Sequence, residues 1–254
     1  MAIINKQKNI GYEIYLLATV IFFFQLTAQG QVVLEHGSGT QTSDGALIVY
    51  GANNFNYSIP YEKIKGSPFW QNQWNTAVFY NWRDSIIGNY KSKLNFVTQE
   101  IYYIDKNGKE QVVLQGLVDK VIFFKNEDES QVISVFKNDI GEVKKKAACK
   151  HCFVQEMNSG DVKLMKSTSR VLKIGDSLFG TQKRYYFADE FEYFLQVHDR
   201  IYRVKKLDKE SILSLLPTAS SYEAWIREKQ LRFKKESDFM VFIDHYNATR
   251  RKED

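Results

Sequence analysis

RYYFADEFEYFLQVHDRIYRVKKLDKESILSLLP, residues 184–217, carries the change of period that decides the fold. Two aromatic runs, Arg184–Ala188 and Phe191–Val197, flank Asp189-Glu190, and a tight turn at Asp199-Arg200 leads into Ile201–Lys205. Aromatic and β-branched residues suit the pleated, half-buried surface of a strand, and short runs of them separated by polar turn residues read as strands joined by hairpins. After Leu207 the period becomes helical. Asp208 is a good helix cap, because its carboxylate can accept from a first-turn amide, and Leu207 and Ile212 stand where a hydrophobic staple needs them. Pro217 disfavours helical geometry in the residue before it, so this first helix is expected to end near Leu216.

Further towards the C-terminus, Ser220-Ser221-Tyr222-Glu223 reads as a capping box opening a second helix with Tyr222, Trp225, Ile226 and Phe233 on one face. Ser237 is placed to cap a third, in which Phe239, Phe242, Ile243 and Tyr246 form an i, i+3, i+4, i+7 stripe. In the other direction the pattern is that of strands. Glu100–Ile104 and Gln111–Leu114 flank Asp105–Lys109, where Asn107-Gly108 tolerates the positive φ values of a type I′ turn. Asn158-Ser159-Gly160-Asp161 marks a turn between His151–Met157 and Val162–Lys166, and Lys93–Thr98 alternates with Leu94 and Phe96 on one face and Asn95 on the other. Strands first and helices last predict an α+β domain. The expected architecture is an antiparallel β meander, a sandwich or partly closed barrel, over residues 31–207. Two or three short helices over residues 208–254 pack on the same domain.

Residues 1–30 read as a cleaved signal peptide. Lys6 and Lys8 precede an apolar run from Ile14 to Leu26, too short for a comfortable membrane span, and Ala28-Gln29-Gly30 supplies small residues for cleavage before Gln31 or Gln29. No other long apolar run follows, so no transmembrane span is expected in the mature chain. The chain has a formal net charge of +5; removing Lys6, Lys8 and Glu13 with the leader leaves about +4. A nucleic-acid binder shows a concentrated basic stripe, whereas Lys144-Lys145-Lys146 with Lys150 reads as a solvated loop, so no nucleic-acid partner is expected.

Cys149-Lys150-His151-Cys152 is the most suggestive chemical motif. A local disulfide or two exposed thiols is the favoured reading; a thiol oxidoreductase or a metal binder are the others. A catalytic thiol is usually activated at a helix N-terminus, but Phe153–Met157 continues as a strand, and no proline occurs between Cys152 and Pro217. A structural zinc site takes four ligands, and the whole chain has two cysteines and four histidines, so no metal or other cofactor is expected. Gly175-Asp176-Ser177-Leu178 spells the nucleophile block of GDSL esterases, but no D-x-x-H follows, and turn chemistry accounts for Gly175-Asp176. Asp189, Glu190 and Glu192 read as a hairpin tip, His198-Asp199 as a turn, and His36-Gly37-Ser38-Gly39 as a loose segment after the leader. Trp70, Trp74 and Trp82 stand in a dense aromatic stretch with Tyr61, Phe69, Phe79 and Tyr80. They are the candidate ligand-binding rings, although such rings more often pack a core.

IKGSPFWQNQW (64–74), NYKSKLNF (89–96) and ESDFMVFIDHYN (236–247) together resemble exported proteins of Bacteroidetes-type bacteria that carry no assigned activity. The resemblance implies a β-rich envelope protein with an N-terminal signal and a short helical C-terminus, and no catalytic residues. The expected function is therefore that of a non-enzymatic binding or interaction protein, periplasmic, envelope-associated or secreted, whose partner is an envelope protein or a glycan. The alternatives are an exported hydrolase with a dispersed site, or a thiol or metal protein using Cys149 and Cys152.

Overall fold

The computed structural model describes residues 46–250 apart from 51–55, 114–115, 126, 128, 139 and 177–182. The expected leader at 1–30 and the segment around His36 lie outside the described residues, as does Ser177. The described chain is α+β and β-rich: one sheet of eleven strands that does not close, with short helices at the C-terminus.

The sheet joins two meanders. The first is β4 (Asn75–Tyr80), β5 (Ile86–Asn95), β6 (Glu100–Ile104) and β7 (Glu110–Val112). The second is β8 (Lys120–Phe124), β9 (Val132–Lys137), β10 (Val154–Glu156), β11 (Val162–Asp176), β12 (Lys183–Val197) and β13 (Arg200–Val204). They meet where β4 pairs antiparallel with β8. A two-residue strand, β3 (Ile64–Lys65), adds a parallel pairing, against Tyr185 and Tyr186 of β12. Outside this sheet, β1 (Ala46–Tyr50) and β2 (Asn56–Pro60) form a separate antiparallel pair.

The sheet curls until the end of β5 reaches the middle of β11. The Arg170 amide donates to the Phe96 carbonyl at 2.9 Å. The Gln99 side chain bridges the same opening, donating to the Thr168 carbonyl at 3.0 Å and accepting from the Phe153 amide at 2.9 Å. Ala77, Phe79, Leu94, Phe96, Phe123 and Phe136 fill the inside of the curl.

A second core lies between the β11–β12–β13 face and the helices α2 (Lys209–Leu213), α3 (Glu223–Glu228) and α4 (Glu236–Arg250). Leu164, Leu195 and Val204 of the strands meet Ile212, Ile226 and the buried α4 stripe of Phe239, Phe242, Ile243 and Tyr246. Helices of five and six residues do not persist alone, so α2 and α3 depend on this packing. Asn247 ties α4 to the sheet. Its Oδ1 accepts from the Val162 amide at 2.9 Å, and its Nδ2 donates to the carbonyls of Val162 at 2.8 Å and Ser159 at 3.1 Å. Gly160, at φ +121, sits so close that a Cβ there would lie 2.5 Å from Asn247 Nδ2, which explains the glycine in the turn.

Several local expectations are corrected. The runs Arg184–Ala188 and Phe191–Val197 form a single strand, β12, and Asp189-Glu190 lie in its middle rather than at a hairpin tip. The reason is cross-strand charge: Asp189 pairs with Arg170 and Glu190 with Lys173 of β11, so the acids need no turn to reach solvent. Likewise Gly175-Asp176 end β11 as ladder pairs with Arg184 and Lys183 instead of turning. The tight turn before β13 is His198-Asp199, with Arg200 already in the strand, because His198 takes the left-handed conformation at φ 53. Between β6 and β7 only Gly108 has positive φ, so the turn is not type I′; the Asp105 carboxylate accepts from the amides of Asn107 and Lys109 and shapes a longer loop. Lys144–Lys146 are solvated on the last turn of a short helix, α1 (Gly141–Lys146), not in a loop. His151 lies in a turn, and β10 starts only at Val154. Ser220 falls inside a 3-10 turn, Ala219–Tyr222, that runs into α3 without a side-chain cap, and α4 begins one residue before Ser237. Asn95 is as buried as Leu94, its side-chain oxygen accepting from the amides of Val97 and Thr98.

Asp208 does cap α2, accepting from the Ser211 amide at 2.9 Å. That bond, and then Lys206, holds its carboxyl at about 2, against an ordinary 3.8. A carboxyl depressed in the folded state contributes stability above its unfolded pKa, and that contribution is lost as pH falls through the folded value. Asp208→Asn is therefore expected to flatten the loss of stability between pH 3.8 and about 2. Denaturation midpoints measured across that window check this; an acid limb as steep as that of the parent contradicts it.

Candidate functional site

The residues singled out in the sequence do not converge. Trp70 packs in the core of the curl, its ring 5.2 Å from Phe123 and 5.0 Å from Phe136. Backbone bonds on either side, from Trp70 to the Leu94 carbonyl and from Phe96 to the Pro68 carbonyl, hold it there. Trp74 and Trp82 stand at opposite ends of β4. Trp74 is half-buried under the Lys93 ammonium, 4.5 Å from its ring. Desolvation lowers the pKa of Lys93, with Glu110 acting in the opposite sense. Trp82 is 74% exposed, with the Arg83 guanidinium 4.4 Å from its ring. Cys149 and Cys152 are joined in a disulfide with Cα atoms 5.5 Å apart; Cys152 is buried and His151 is exposed. Among the described residues, no three His, Cys, Asp or Glu side chains group as metal ligands. His198 and Asp199 are exposed in their turn, and His245 stacks on Trp225 at 3.7 Å.

The feature that stands out instead is a groove beside β12. On its outer edge β12 has two neighbours, and neither runs its full length. β13 pairs from Val197 back to Tyr193, then turns away after Val204 towards the Asp208 cap. β3 pairs only at Tyr185 and Tyr186. Residues 187–192 between them pair with β11 alone among the described residues.

The direction of the backbone in this gap follows from the ladder. The Leu164 carbonyl accepts from Met157 and the Arg170 amide donates to Phe96, so the even residues of β11 turn their polar groups away from β12. Their partners Leu195 and Asp189 therefore exchange no ladder bonds with them, and turn their own amides and carbonyls outward. Alternation puts Phe191 in the same state. The outward groups of Asp189 and Phe191 meet no backbone partner among the described residues.

The acids along this edge are matched. Arg170 holds Asp189 through Nε and Nη2, Lys173 lies 3.5 Å from Glu190, and Glu192 pairs with Arg203 while accepting from the Ala148 amide at 2.7 Å. The groove, about 700 Å³, opens between Phe191, Glu192 and Tyr193 at one end of this edge and the start of α4. Its apolar floor is Phe191, Val204, Leu207 and Phe239. Phe191 is 52% exposed although it is a large ring on a strand.

At the inner end, Glu236 accepts from Lys166 at 2.7 Å and from the Tyr193 hydroxyl. Burial would raise the Glu236 carboxyl, but these two hydrogen bonds outweigh it and hold the group below its ordinary 4.5. Burial, and then Glu236, push the Tyr193 hydroxyl well above the usual range, so it stays a donor. The Lys166 ammonium also lies 4.7 Å from the Phe191 ring. Glu236 is thus ionised and neutralised at neutral pH. Lys205, Lys234 and Lys235 on the rim are exposed, and they enter no ion pair among the described residues. An apolar floor under three unmatched ammonium groups suits an anion that also carries apolar surface.

Comparison with protein-family models, with curated proteins and with solved structures finds no match to this chain.

Proposed function

We propose that the protein is an exported, non-enzymatic binding protein of the bacterial envelope, and that the groove beside β12 is where it takes its partner. The carrying observation is the excess of cationic groups, Lys205, Lys234 and Lys235, over an exposed aromatic floor at Phe191. The signal-like sequence at residues 1–30 supports the compartment. An envelope partner, protein or glycan, would present carboxylates to the rim.

Charge reversal tests this. Lys234→Glu with Lys235→Glu changes two exposed positions whose charges make no ion pair among the described residues, so folding should be unaffected. Binding of anionic probes, acidic peptides and uronic-acid oligosaccharides, should weaken by about tenfold or more at low ionic strength, and the difference should shrink as salt screens the exposed charges. Equal binding by parent and variant across that salt range excludes the groove.

A further inference from the structure

We infer that the occupant of the groove is an extended acidic peptide that adds to the sheet as a short strand along residues 187–192 of β12. This rests on the reading of the groove as a binding site and specifies the chemistry of its ligand.

The backbone carries the argument. Asp189 and Phe191 present amides and carbonyls outward at an exposed edge, and no strand among the described residues answers them. An unpaired edge is a template for another strand, and native proteins commonly blunt such edges with charge that is free to repel a newcomer. Here the edge acids are neutralised one by one, Asp189 by Arg170, Glu190 by Lys173 and Glu192 by Arg203, so they do not repel an acidic newcomer. The gap is also bounded: β3 closes one end at Tyr186 and β13 the other at Tyr193. At roughly 3.3 Å per residue, the opening takes a segment of about four to six residues.

Side chains then set the composition. Those of an added strand alternate between faces, so every second one looks into the groove. An apolar side chain there reaches Phe191 and Leu207, and a carboxylate two residues on reaches the rim of Lys205, Lys234 and Lys235. A glycan satisfies the lysines but lacks the regularly spaced amides and carbonyls that the edge of β12 matches. Backbone pairing therefore favours a peptide, by the mode in which main-chain bonds give affinity and alternate side chains give specificity.

The test uses the full chain and fluorescein-labelled hexapeptides alternating glutamate with valine or phenylalanine. A twin set is N-methylated on every second amide, in both registers, and hexagalacturonate serves as the anionic glycan. The expected result is binding of the plain peptides and a loss of at least about tenfold on N-methylation in one register only, since that register removes the donors facing β12. Phe191→Pro, which removes an outward donor without touching the β11 ladder, should weaken the plain peptide more than Phe191→Ala does. Should the proline variant fail to fold, the N-methyl series still decides. Equal affinity for plain and methylated peptides overturns strand addition. Hexagalacturonate binding that is lost in Lys234→Glu with Lys235→Glu, while no peptide binds, overturns the peptide and leaves the groove reading standing. Failure of every anionic probe overturns both.

Discussion

Phe242→Ala is expected to destabilise the whole molecule by about 3–5 kcal/mol, because removing a buried aromatic ring loses its transfer free energy and leaves a cavity. The ring has no solvent exposure. It lies at the centre of an aromatic cluster, with centroids 5.7 Å from Phe233, 6.0 Å from Tyr222 and 6.4 Å from Tyr246. Those rings come from α4 and from the segments before it, and the cluster rests on Leu164 and Leu195 of the long hairpin. α2 and α3 are too short to stand alone. A cavity at this point therefore weakens the contact between helices and sheet, and does not merely loosen the tail. Urea denaturation followed by far-ultraviolet circular dichroism and by tryptophan fluorescence should show both transitions moving together. A β transition left at its parental midpoint while the helices melt early contradicts this coupling.

Asn247→Ala is the second large effect. The Asn247 amide answers both backbone groups of Val162, a residue buried at the start of β11, and also the Ser159 carbonyl. Alanine leaves the Val162 amide without its partner, at about 1–3 kcal/mol for a buried unsatisfied group, and removes one of the two donors to the Val162 carbonyl, which keeps the Asn158 side-chain amide at 3.0 Å. Asn247→Asp should not restore stability: a carboxylate accepts from the Val162 amide but has no donor for the two carbonyls. Equilibrium denaturation of the two variants checks this. Parental stability in Asn247→Asp shows that the two donated bonds contribute little.

Parts of this fold were legible in the sequence and parts were not, for physical reasons. The α4 stripe of Phe239, Phe242, Ile243 and Tyr246 is a local periodic signal, and all four side chains are buried. The Asp208 cap is local too, and the structure forms it. The strand-to-helix order set the β-rich α+β class. The length of β12 was hidden, because Asp189-Glu190 are turn-like when read alone. The residues that neutralise them, Arg170 and Lys173, lie on the partner strand and become relevant only once the register is known. The β3–β12 pairing brings residues 64–65 beside 185–186, a contact that no local pattern announces. The groove is more remote still, since it needs Lys234 and Lys235 before α4 to stand over an edge created by the early departure of β13. A usable signal was present: Tyr185, Phe187, Phe191, Tyr193 and Leu195 keep one parity, as in one continuous strand, with Asp189 as the single break. The tryptophans drew attention for their size, and Trp70 shows the commoner use of such rings, in a core.

Amide exchange measured by nuclear magnetic resonance, with and without the acidic hexapeptide, tests the central claim most directly. The account predicts that the Asp189 and Phe191 amides, open to solvent in the free protein, slow markedly on binding, while the resonances of Lys234 and Lys235 shift. Tight binding with these two amides exchanging as before, and protection arising elsewhere on the molecule, would contradict it.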